Sequence, residues 1–294
     1  MTALRVLVTG GAGRLGRSVL AGLAAHGHEP VCVDLVAAAD VESFPVDLTD
    51  PGEAYAAMAR YRPDAVVHLA AIAVPFSRPE ATIYRVNTAL AYCTLQAAVD
   101  LGVSRVVVAS SPTVYGYGNP AGWSPARLPL DEDSPVAPWH AYALSKLAAE
   151  QAARMFAAAR PQLRLTIVRP CFVVAPEDWH GAATQDGRTI RDRLDRPELS
   201  AAALFNYVDA RDVADLVTAL LDPPDTVSAG EVFLASAADA LAREPLADLL
   251  PRHVPGLAGA APVLTGTRPA FSTAKAHRLL GWRPRRSWRT ELAP

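Results

Sequence analysis

The chain has 294 residues, of which 51% are hydrophobic and 20% charged; this composition predicts a sizeable buried core and excludes a disordered chain. Lysine and arginine total 28 against 30 acidic residues, and the net charge of -2 gives no electrostatic reason to expect nucleic acid as a partner. The three cysteines, Cys32, Cys93 and Cys171, lie far apart in apolar runs, which indicates neither a disulfide framework nor a metal site.

The N-terminal residues lead directly into an apolar, strand-like run, without a charged leader followed by a long apolar stretch. No window reaches the ~18 consecutive apolar residues of a membrane span. We therefore expect a soluble, cytoplasmic protein with no membrane partner.

Apolar runs of strand length alternate with alanine-rich amphipathic segments that begin near Leu15, Pro51, Pro79 and Ala141. Because the runs are almost continuously apolar, both faces of the sheet must be covered, which implies parallel strands between two layers of helices. The pattern predicts an α/β fold with a doubly wound parallel sheet, the Rossmann arrangement. The predicted strands are LRVLVT (4–9), PVCVDL (30–35), AVVHLA (65–70), RVVVAS (105–110) and RLTIVRP (164–170).

The alternation weakens after residue 170. A polar stretch at 177–197 interrupts it, and a stretch of this length is typical of a binding loop or lid. Short elements follow, including VFLA, a helix at 237–250 and KAHRLLGW. A small C-terminal α/β lobe is expected to cover the carboxyl ends of the strands, where such sheets bind ligands. The predicted units are a Rossmann domain at 1–170, with its sheet continued by 204–235, and a substrate-binding lobe made of 171–203 and 236–294.

A glycine-rich turn, TGGAGRLG, follows the first predicted strand and opens a helix. Gly10 permits the tight turn, Gly13 lets a pyrophosphate approach the backbone, and Gly16 lets the helix pack on the sheet. Such a triplet alone is weak evidence, because glycine-rich turns are common. Its position between strand and helix, with an acid at the end of the second strand, predicts a dinucleotide site.

Asp34 is that acid. A carboxylate at this place accepts hydrogen bonds from both hydroxyls of the adenosine ribose and repels a 2′-phosphate. The residues that follow, Leu35, Val36 and Ala37, supply no arginine to pair with such a phosphate. The sequence therefore favours NAD over NADP, and the alternative is an exposed strand-end acid without a ligand.

A serine, a tyrosine and a lysine are the candidate catalytic residues. Ser111 follows the fourth predicted strand, and Tyr142 and Lys146 lie four residues apart on one face of a helix. The ammonium of Lys146 would stabilise the phenolate of Tyr142 and lower its pKa. Tyr142 would then exchange a proton with a substrate hydroxyl while hydride moves to or from a nicotinamide, and Ser111 would hold the same oxygen.

These motifs together resemble the extended short-chain dehydrogenases/reductases, the NAD-dependent epimerase/dehydratase family. The resemblance covers nearly the full chain and includes VDLTD (46–50), HLAA (68–71), SSPTVYG (110–116), YALSK (142–146), YVDARDVA (207–214) and LLGWRP (279–284). It implies that Ser111, Tyr142 and Lys146 are catalytic and that Ser111, Thr113, Tyr142 and Phe172 contact substrate. It also implies a homodimer that pairs through the helices bearing Asn87 and Tyr142. The implied cofactor contacts are Gly10, Gly13, Arg14, Leu15, Gly16, Asp34, Asp47, Leu48, Leu69, Ala70, Ala71, Asn87, Tyr142, Lys146 and Pro170.

Departures from the family pattern bear on the reaction and the substrate. Sugar-nucleotide dehydratases carry an Asp-Glu pair where this chain has Pro112 and Thr113, which disfavours dehydration. Nucleotide-sugar epimerases place an asparagine and an arginine where this chain has Phe172 and Phe205. A diphosphate facing two phenyl rings would lose charge-assisted bonds worth roughly 1.5–3 kcal/mol each. A free sugar, a sugar acid or another polar carbinol is therefore favoured, although Arg188, Arg191 or Arg193 in the polar loop could supply the missing charge.

Three hypotheses follow for the function. The first is a dehydrogenase or ketoreductase with net NAD turnover, and the second is a nucleotide-sugar epimerase that keeps its NAD bound. The third is a non-catalytic dinucleotide-binding module, which would have no need of Tyr142 and Lys146. No metal site is predicted, because the seven histidines show no HxxxH spacing, and His68 is expected to pack within the fold.

Overall fold

The computed structural model describes residues 2–292, and its central element is a parallel sheet. The sheet has seven strands in the order β3-β2-β1-β4-β5-β6-β9, and β7 and β8 form a separate parallel pair. The chain builds outward from β1 to β3 and then returns to place β4 on the other side of β1. This reversal confirms the predicted doubly wound sheet and opens a crevice at the carboxyl ends of the strands. The strands are β1 (Arg5–Thr9), β2 (Glu29–Asp34), β3 (Ser43–Pro45), β4 (Ala65–His68), β5 (Arg105–Ala109), β6 (Arg164–Pro170), β7 (Val173–Val174), β8 (Val208–Asp209) and β9 (Glu231–Ala235).

Helices cover both faces of the sheet. On one face, Val6 and Val8 of β1 pack with α1 and α8; on the other, Leu7 packs with α2, α3 and α4. The alternation of side chains along a strand produces these two separate cores. The helices are α1 (Arg14–Ala25), α2 (Pro51–Tyr61), α3 (Glu80–Asp100), α4 (Ala141–Ala159), α5 (Pro176–Trp179), α6 (Ile190–Asp195), α7 (Glu198–Ala201), α8 (Ala210–Leu221), α9 (Leu246–His253), α10 (Ala274–Leu280) and α11 (Trp288–Glu291), with 3₁₀ turns at Pro112–Tyr115, Pro255–Leu257 and Ala261–Val263.

Two local predictions differ from the structure. β3 was not predicted, because three residues are too few to show a periodic pattern. The predicted helix at 237–250 is wrong over its first part, since α9 begins only at Leu246, directly after Pro245. The backbone amides of Ala237 and Leu241 donate instead to the carbonyls of Tyr207 and Phe205, so tertiary hydrogen bonds replace helical ones over these residues.

Part of the C-terminal segment packs in the same buried core as the sheet, whereas Trp288 belongs to a separate cluster. Leu249 of α9 and Trp282 belong to the same buried cluster as Val6 of β1. The division into a domain at 1–170 and a lobe that includes 236–294 stays a prediction, and its outer ends, Met1, Ala293 and Pro294, lie outside the described residues. None of the helices within residues 2–292 combines the length and the apolar character needed to cross a bilayer.

Candidate active site

A cavity of about 730 Å³ lies at the carboxyl ends of β1, β2, β4, β5 and β6. It brings together the glycine turn after β1, the ends of the other four strands and the side chains of Tyr142 and Lys146 from α4. Among the described residues, each predicted site residue lines this cavity except Asn87. The residues predicted for the site therefore lie together, at the edge where a doubly wound sheet binds its ligands.

The glycine turn is packed too tightly for side chains. Gly10 has a φ of +70°, and a Cβ there would lie 2.7 Å from the amide nitrogen of Ala70. A Cβ on Gly16 would lie 2.2 Å from the carbonyl oxygen of Gly10. Gly13 caps α1 without a side-chain hydrogen bond, and the first turn of α1 contains no acid. The amides at this helix end are thus available to an anion such as a pyrophosphate, which fits the predicted dinucleotide.

The end of β2 provides the predicted ribose acceptor. The carboxylate of Asp34 accepts hydrogen bonds from the amides of Ala12, at 3.1 Å, and Leu35, at 2.7 Å. The first of these bonds ties the carboxylate to the glycine turn. Beyond it, Asp47 and Leu48 line the end of the cavity predicted to hold adenine. The Asp47 carboxylate accepts the amide and hydroxyl of Thr49, and these bonds lower its pKa.

The loop after β4 forms one wall of the cavity through Leu69, Ala70 and Ala71. Asn87 lies behind this loop and does not line the cavity. Its side-chain oxygen accepts the amide of Ile72 at 2.8 Å, and its nitrogen donates to the Ile72 carbonyl and to Ser145. The direct cofactor contact implied for Asn87 is therefore corrected to support of the loop, because both ends of its amide already have protein partners.

The three candidate catalytic side chains meet beside Pro170. Tyr142, Lys146 and Ser111 are all buried, and Thr113 donates its hydroxyl to Ser111 at 3.0 Å. The ammonium of Lys146 donates to the carbonyl of Ala109 at 2.9 Å and lies 5.9 Å from the centre of the Tyr142 ring. Burial lowers the pKa of Lys146 to about 8.

The expected lowering of the Tyr142 pKa by Lys146 is wrong for this structure. Burial raises the pKa of Tyr142 to about 12, and only a hydrogen bond with Ser111 acts in the opposite direction. The ammonium of Lys146 is directed to the Ala109 carbonyl, so it does not offset the desolvation of the phenol. Tyr142 therefore holds its proton at neutral pH in this state.

His68 packs within the fold, as predicted. Its Nδ1 lies 2.9 Å from the hydroxyl of Thr9, and burial together with the positive charge of Lys146 lowers the pKa of His68 to about 3. The imidazole is neutral and fixes the end of β4 next to β1. Within the part of the chain that is described, no three His, Cys, Asp or Glu side chains group as a metal site.

The substrate end of the cavity contains Phe172, as predicted, but not Phe205. The prediction that Phe205 faces the substrate is wrong, because its side chain is buried in the sheet core. Sequence reasoning missed Asn206, which lines the cavity and whose side chain accepts a hydrogen bond from the amide of Phe172 at 2.7 Å. Tyr117, for which the sequence allowed either packing or a place on the substrate side, lines the cavity. The signal for Asn206 was its position immediately before the YVDARDVA segment.

The polar loop at 177–197 is attached to α1. Asp178, whose side chain is fully buried, pairs with Arg14, and Glu177 pairs with Arg17 at 2.5 Å. Arg193 pairs with Asp186 and lies 4.5 Å from the ring centre of Phe172. Of the described residues that line the cavity, the basic ones are Arg14 and Lys146; Arg193 lies against the ring of Phe172 but does not itself line the cavity.

Comparisons with known proteins identify the family. The chain matches the family described as "NAD dependent epimerase/dehydratase family" over residues 6–235, and the predicted family is confirmed. It is 38% identical over 190 residues to UDP-glucose 4-epimerase of Azospirillum brasilense, and the aligned region covers 62% of this chain and 52% of the relative. It is 32% identical over 168 residues to GDP-6-deoxy-D-talose 4-dehydrogenase of Aggregatibacter actinomycetemcomitans. That aligned region covers 57% of this chain and 52% of the relative.

The chain thus spans about half the length of the curated relatives it matches. Among solved structures, a short-chain dehydrogenase/reductase superfamily protein from Agrobacterium tumefaciens with bound NAD is 25% identical, with a TM-score of 0.72. That alignment covers 98% of this chain and 94% of the other.

Proposed function

Because the chain belongs to the NAD-dependent epimerase/dehydratase family, we propose that it binds NAD in this cavity and transfers hydride at a secondary alcohol or ketone of a sugar-like or other polar small molecule. The observation that carries the proposal is the meeting of Ser111, Tyr142 and Lys146 with the glycine turn in one cavity. A non-catalytic dinucleotide-binding module would have no need of this buried trio.

The residues present fit a dinucleotide. Gly10, Gly13 and Gly16 leave room for a pyrophosphate beside free backbone amides, and Asp34 lies where the adenosine ribose would be. Bound NAD would supply the hydride acceptor or donor. Tyr142, which keeps its proton at neutral pH, would give that proton to a ketone oxygen as hydride is transferred from reduced NAD, while the hydroxyl of Ser111 orients the same oxygen. Oxidation of an alcohol would first require loss of the Tyr142 proton, because only the phenolate can accept the proton of the alcohol.

We propose a substrate without a nucleotide handle. Phe172 lines the substrate end, and Arg193, the loop arginine that contacts its ring, is paired with Asp186 and does not line the cavity. A diphosphate there would lack the charge-assisted bonds that normally compensate for its desolvation. The second candidate is a nucleotide-sugar epimerase with tightly bound NAD, which the Azospirillum relative favours.

The experiment that separates these candidates follows the absorbance of reduced nicotinamide with free sugars, sugar acids and nucleotide sugars, alongside analysis of the sugar products. Net oxidation or reduction of a free sugar or sugar acid would change the absorbance and support the main proposal. Conversion of a nucleotide sugar to its epimer at constant absorbance would establish the second candidate instead.

Cofactor choice is expected to depend on Asp34. Replacing Asp34 by Asn should weaken NAD binding about ten- to hundredfold, because hydrogen bonds to a charged acceptor are worth ~1.5–3 kcal/mol. The difference in affinity between NAD and NADP should become smaller. Titration calorimetry with both nucleotides measures the two affinities. Asp40→Asn, an exposed site outside the cavity, is the matched control and should change neither. An unchanged NAD affinity in Asp34→Asn would leave Asp34 as a strand-end acid without this role.

The homodimer is proposed to form through α3 and α4. Tyr84 and Tyr92 of α3 and Leu144 and Met155 of α4 are large apolar side chains that remain 39–48% exposed. Covering such a surface is favourable by about 25 cal/mol per Å². Sedimentation should give a dimer for the wild type and a monomer for Leu144→Glu combined with Met155→Glu. Val263→Glu, at another exposed apolar position, should remain dimeric; a wild-type monomer at all concentrations would refute the pairing.

A further inference from the structure

A buried ion pair lies behind the catalytic residues. Arg169, at the end of β6, donates from Nε to one oxygen of Glu150 at 2.7 Å and from Nη2 to the other at 2.8 Å. The side chains are 3% and 0% exposed. Two parallel hydrogen bonds between a guanidinium and a carboxylate fix the relative orientation of the two groups, which a single contact would not do.

This pair joins the two elements that carry the catalytic trio, β5 and α4, to β6. Glu150 lies one helical turn after Lys146 on α4, and its carboxylate accepts the hydroxyl of Ser110, the neighbour of Ser111, at 2.6 Å. Arg169 directly precedes Pro170, which lines the cavity, and it also donates to the hydroxyl of Tyr115 at 2.8 Å. On the other side of Ser110, the carbonyl of Ala109 accepts the ammonium of Lys146. The pair therefore holds β5, β6 and α4 in one arrangement.

We propose that Glu150 and Arg169 are positioning residues, which set the placement of Lys146 and Ser111 and keep the charge behind them balanced. The inference rests on the proposed function, because it presupposes that Lys146 and Ser111 act in catalysis, but its test requires no substrate. A buried ion pair is weak evidence of stabilisation as such, because well-packed apolar residues often replace one without loss. Its bonds to the neighbours of Ser111 and Lys146 are what favour a role in the site.

Charge balance is the part of this role that can be measured. The ammonium of Lys146 bonds to the Ala109 carbonyl and faces His68 from β4 and Tyr142 on its own helix. Glu150 and Arg169 lie further back, bonded through Ser110 next to Ala109, and Glu150 also meets Arg154 at 3.3 Å. Removing the carboxylate charge would leave the Arg169 guanidinium unpaired behind Ser110, the neighbour of the Ala109 carbonyl that holds Lys146. Two like charges ~8 Å apart at an effective dielectric constant of ~20 shift a pKa by on the order of 1 unit.

The experiment is a pH titration of Lys146 by NMR with isotope-labelled lysine. The chain has two lysines, Lys146 and Lys275, so Lys275→Arg leaves a single signal to follow. The Lys146 signal should titrate near pH 8 in this parent protein. Glu150→Gln should move that midpoint down by on the order of 1 unit, and Glu150→Gln with Arg169→Gln should return it towards the parent value.

Arg154→Gln is the matched control, because it removes the partly exposed partner of the same carboxylate and leaves the buried pair intact. In this variant the Lys146 midpoint should stay within ~0.3 unit of the parent value, far below the shift expected for loss of the buried charge. Should Glu150→Gln fail to fold, Arg169→Gln takes its place with a shift in the opposite direction. Loss of thermal stability with an unmoved Lys146 midpoint in all of these variants would overturn the inference. Binding of NAD, measured in parallel, reports separately on the proposed function.

Discussion

Replacing Tyr142 by phenylalanine is expected to reduce turnover by at least ~100-fold while leaving NAD binding intact. The substitution removes only the phenolic hydroxyl, which is the group placed to exchange a proton with the substrate oxygen beside Ser111. The ring remains to fill the buried site, so the thermal stability should change little. Steady-state kinetics with the substrate found in the screen, together with calorimetry of NAD, measure the two quantities.

The matched control is Tyr55→Phe, which removes a surface hydroxyl from α2 far from the cavity and should keep wild-type turnover. A large fall in turnover together with an unchanged NAD affinity would assign Tyr142 to the proton transfer and not to cofactor binding. If Tyr142→Phe turned over substrate at the wild-type rate, Tyr142 could not be the proton-transfer group.

Replacing Gly16 by alanine is expected to remove most NAD binding. The added Cβ would lie 2.2 Å from the Gly10 carbonyl oxygen and 2.6 Å from that of Gly11, so α1 must move away from the turn. Overpacking of this kind costs about 1–3 kcal/mol, and displacement of the helix-end amides would weaken NAD binding by ~10- to 100-fold. Calorimetry and thermal unfolding should both detect the change.

Gly259→Ala is the control for this substitution, since a Cβ there meets no atom within 4 Å. It should retain both stability and NAD affinity. A Gly16→Ala protein that bound NAD as the wild type does would mean that the close packing of this turn is not what forms the cofactor site.

The sequence predicted the sheet and the cavity because both depend on local patterns. Apolar runs of strand length, a glycine triplet between a strand and a helix, and a Tyr-Lys pair at helical spacing are each visible within a few residues. Gly10, Asp34 and Tyr142 could therefore be assigned to one sheet edge before any coordinates, because parallel strands end at the same edge.

What the sequence did not predict depends on burial and on distant partners. The direction in which Phe205 points and the partners of Asn87 follow from packing between segments far apart in the chain. The Tyr142 pKa was predicted from its neighbour Lys146, but desolvation of the phenol outweighs that charge once the cavity walls are in place. The early part of the helix predicted at 237–250 was lost to hydrogen bonds with residues 205 and 207.

The central claim is that the glycine turn and the Tyr142–Lys146 pair form one site for a nicotinamide dinucleotide. Titration calorimetry of the purified protein, after removal of any bound nucleotide, tests it most directly. We predict one NAD bound per chain, with weaker binding of NADP. If neither NAD nor NADP, oxidised or reduced, bound to the folded protein, the proposed function would be contradicted.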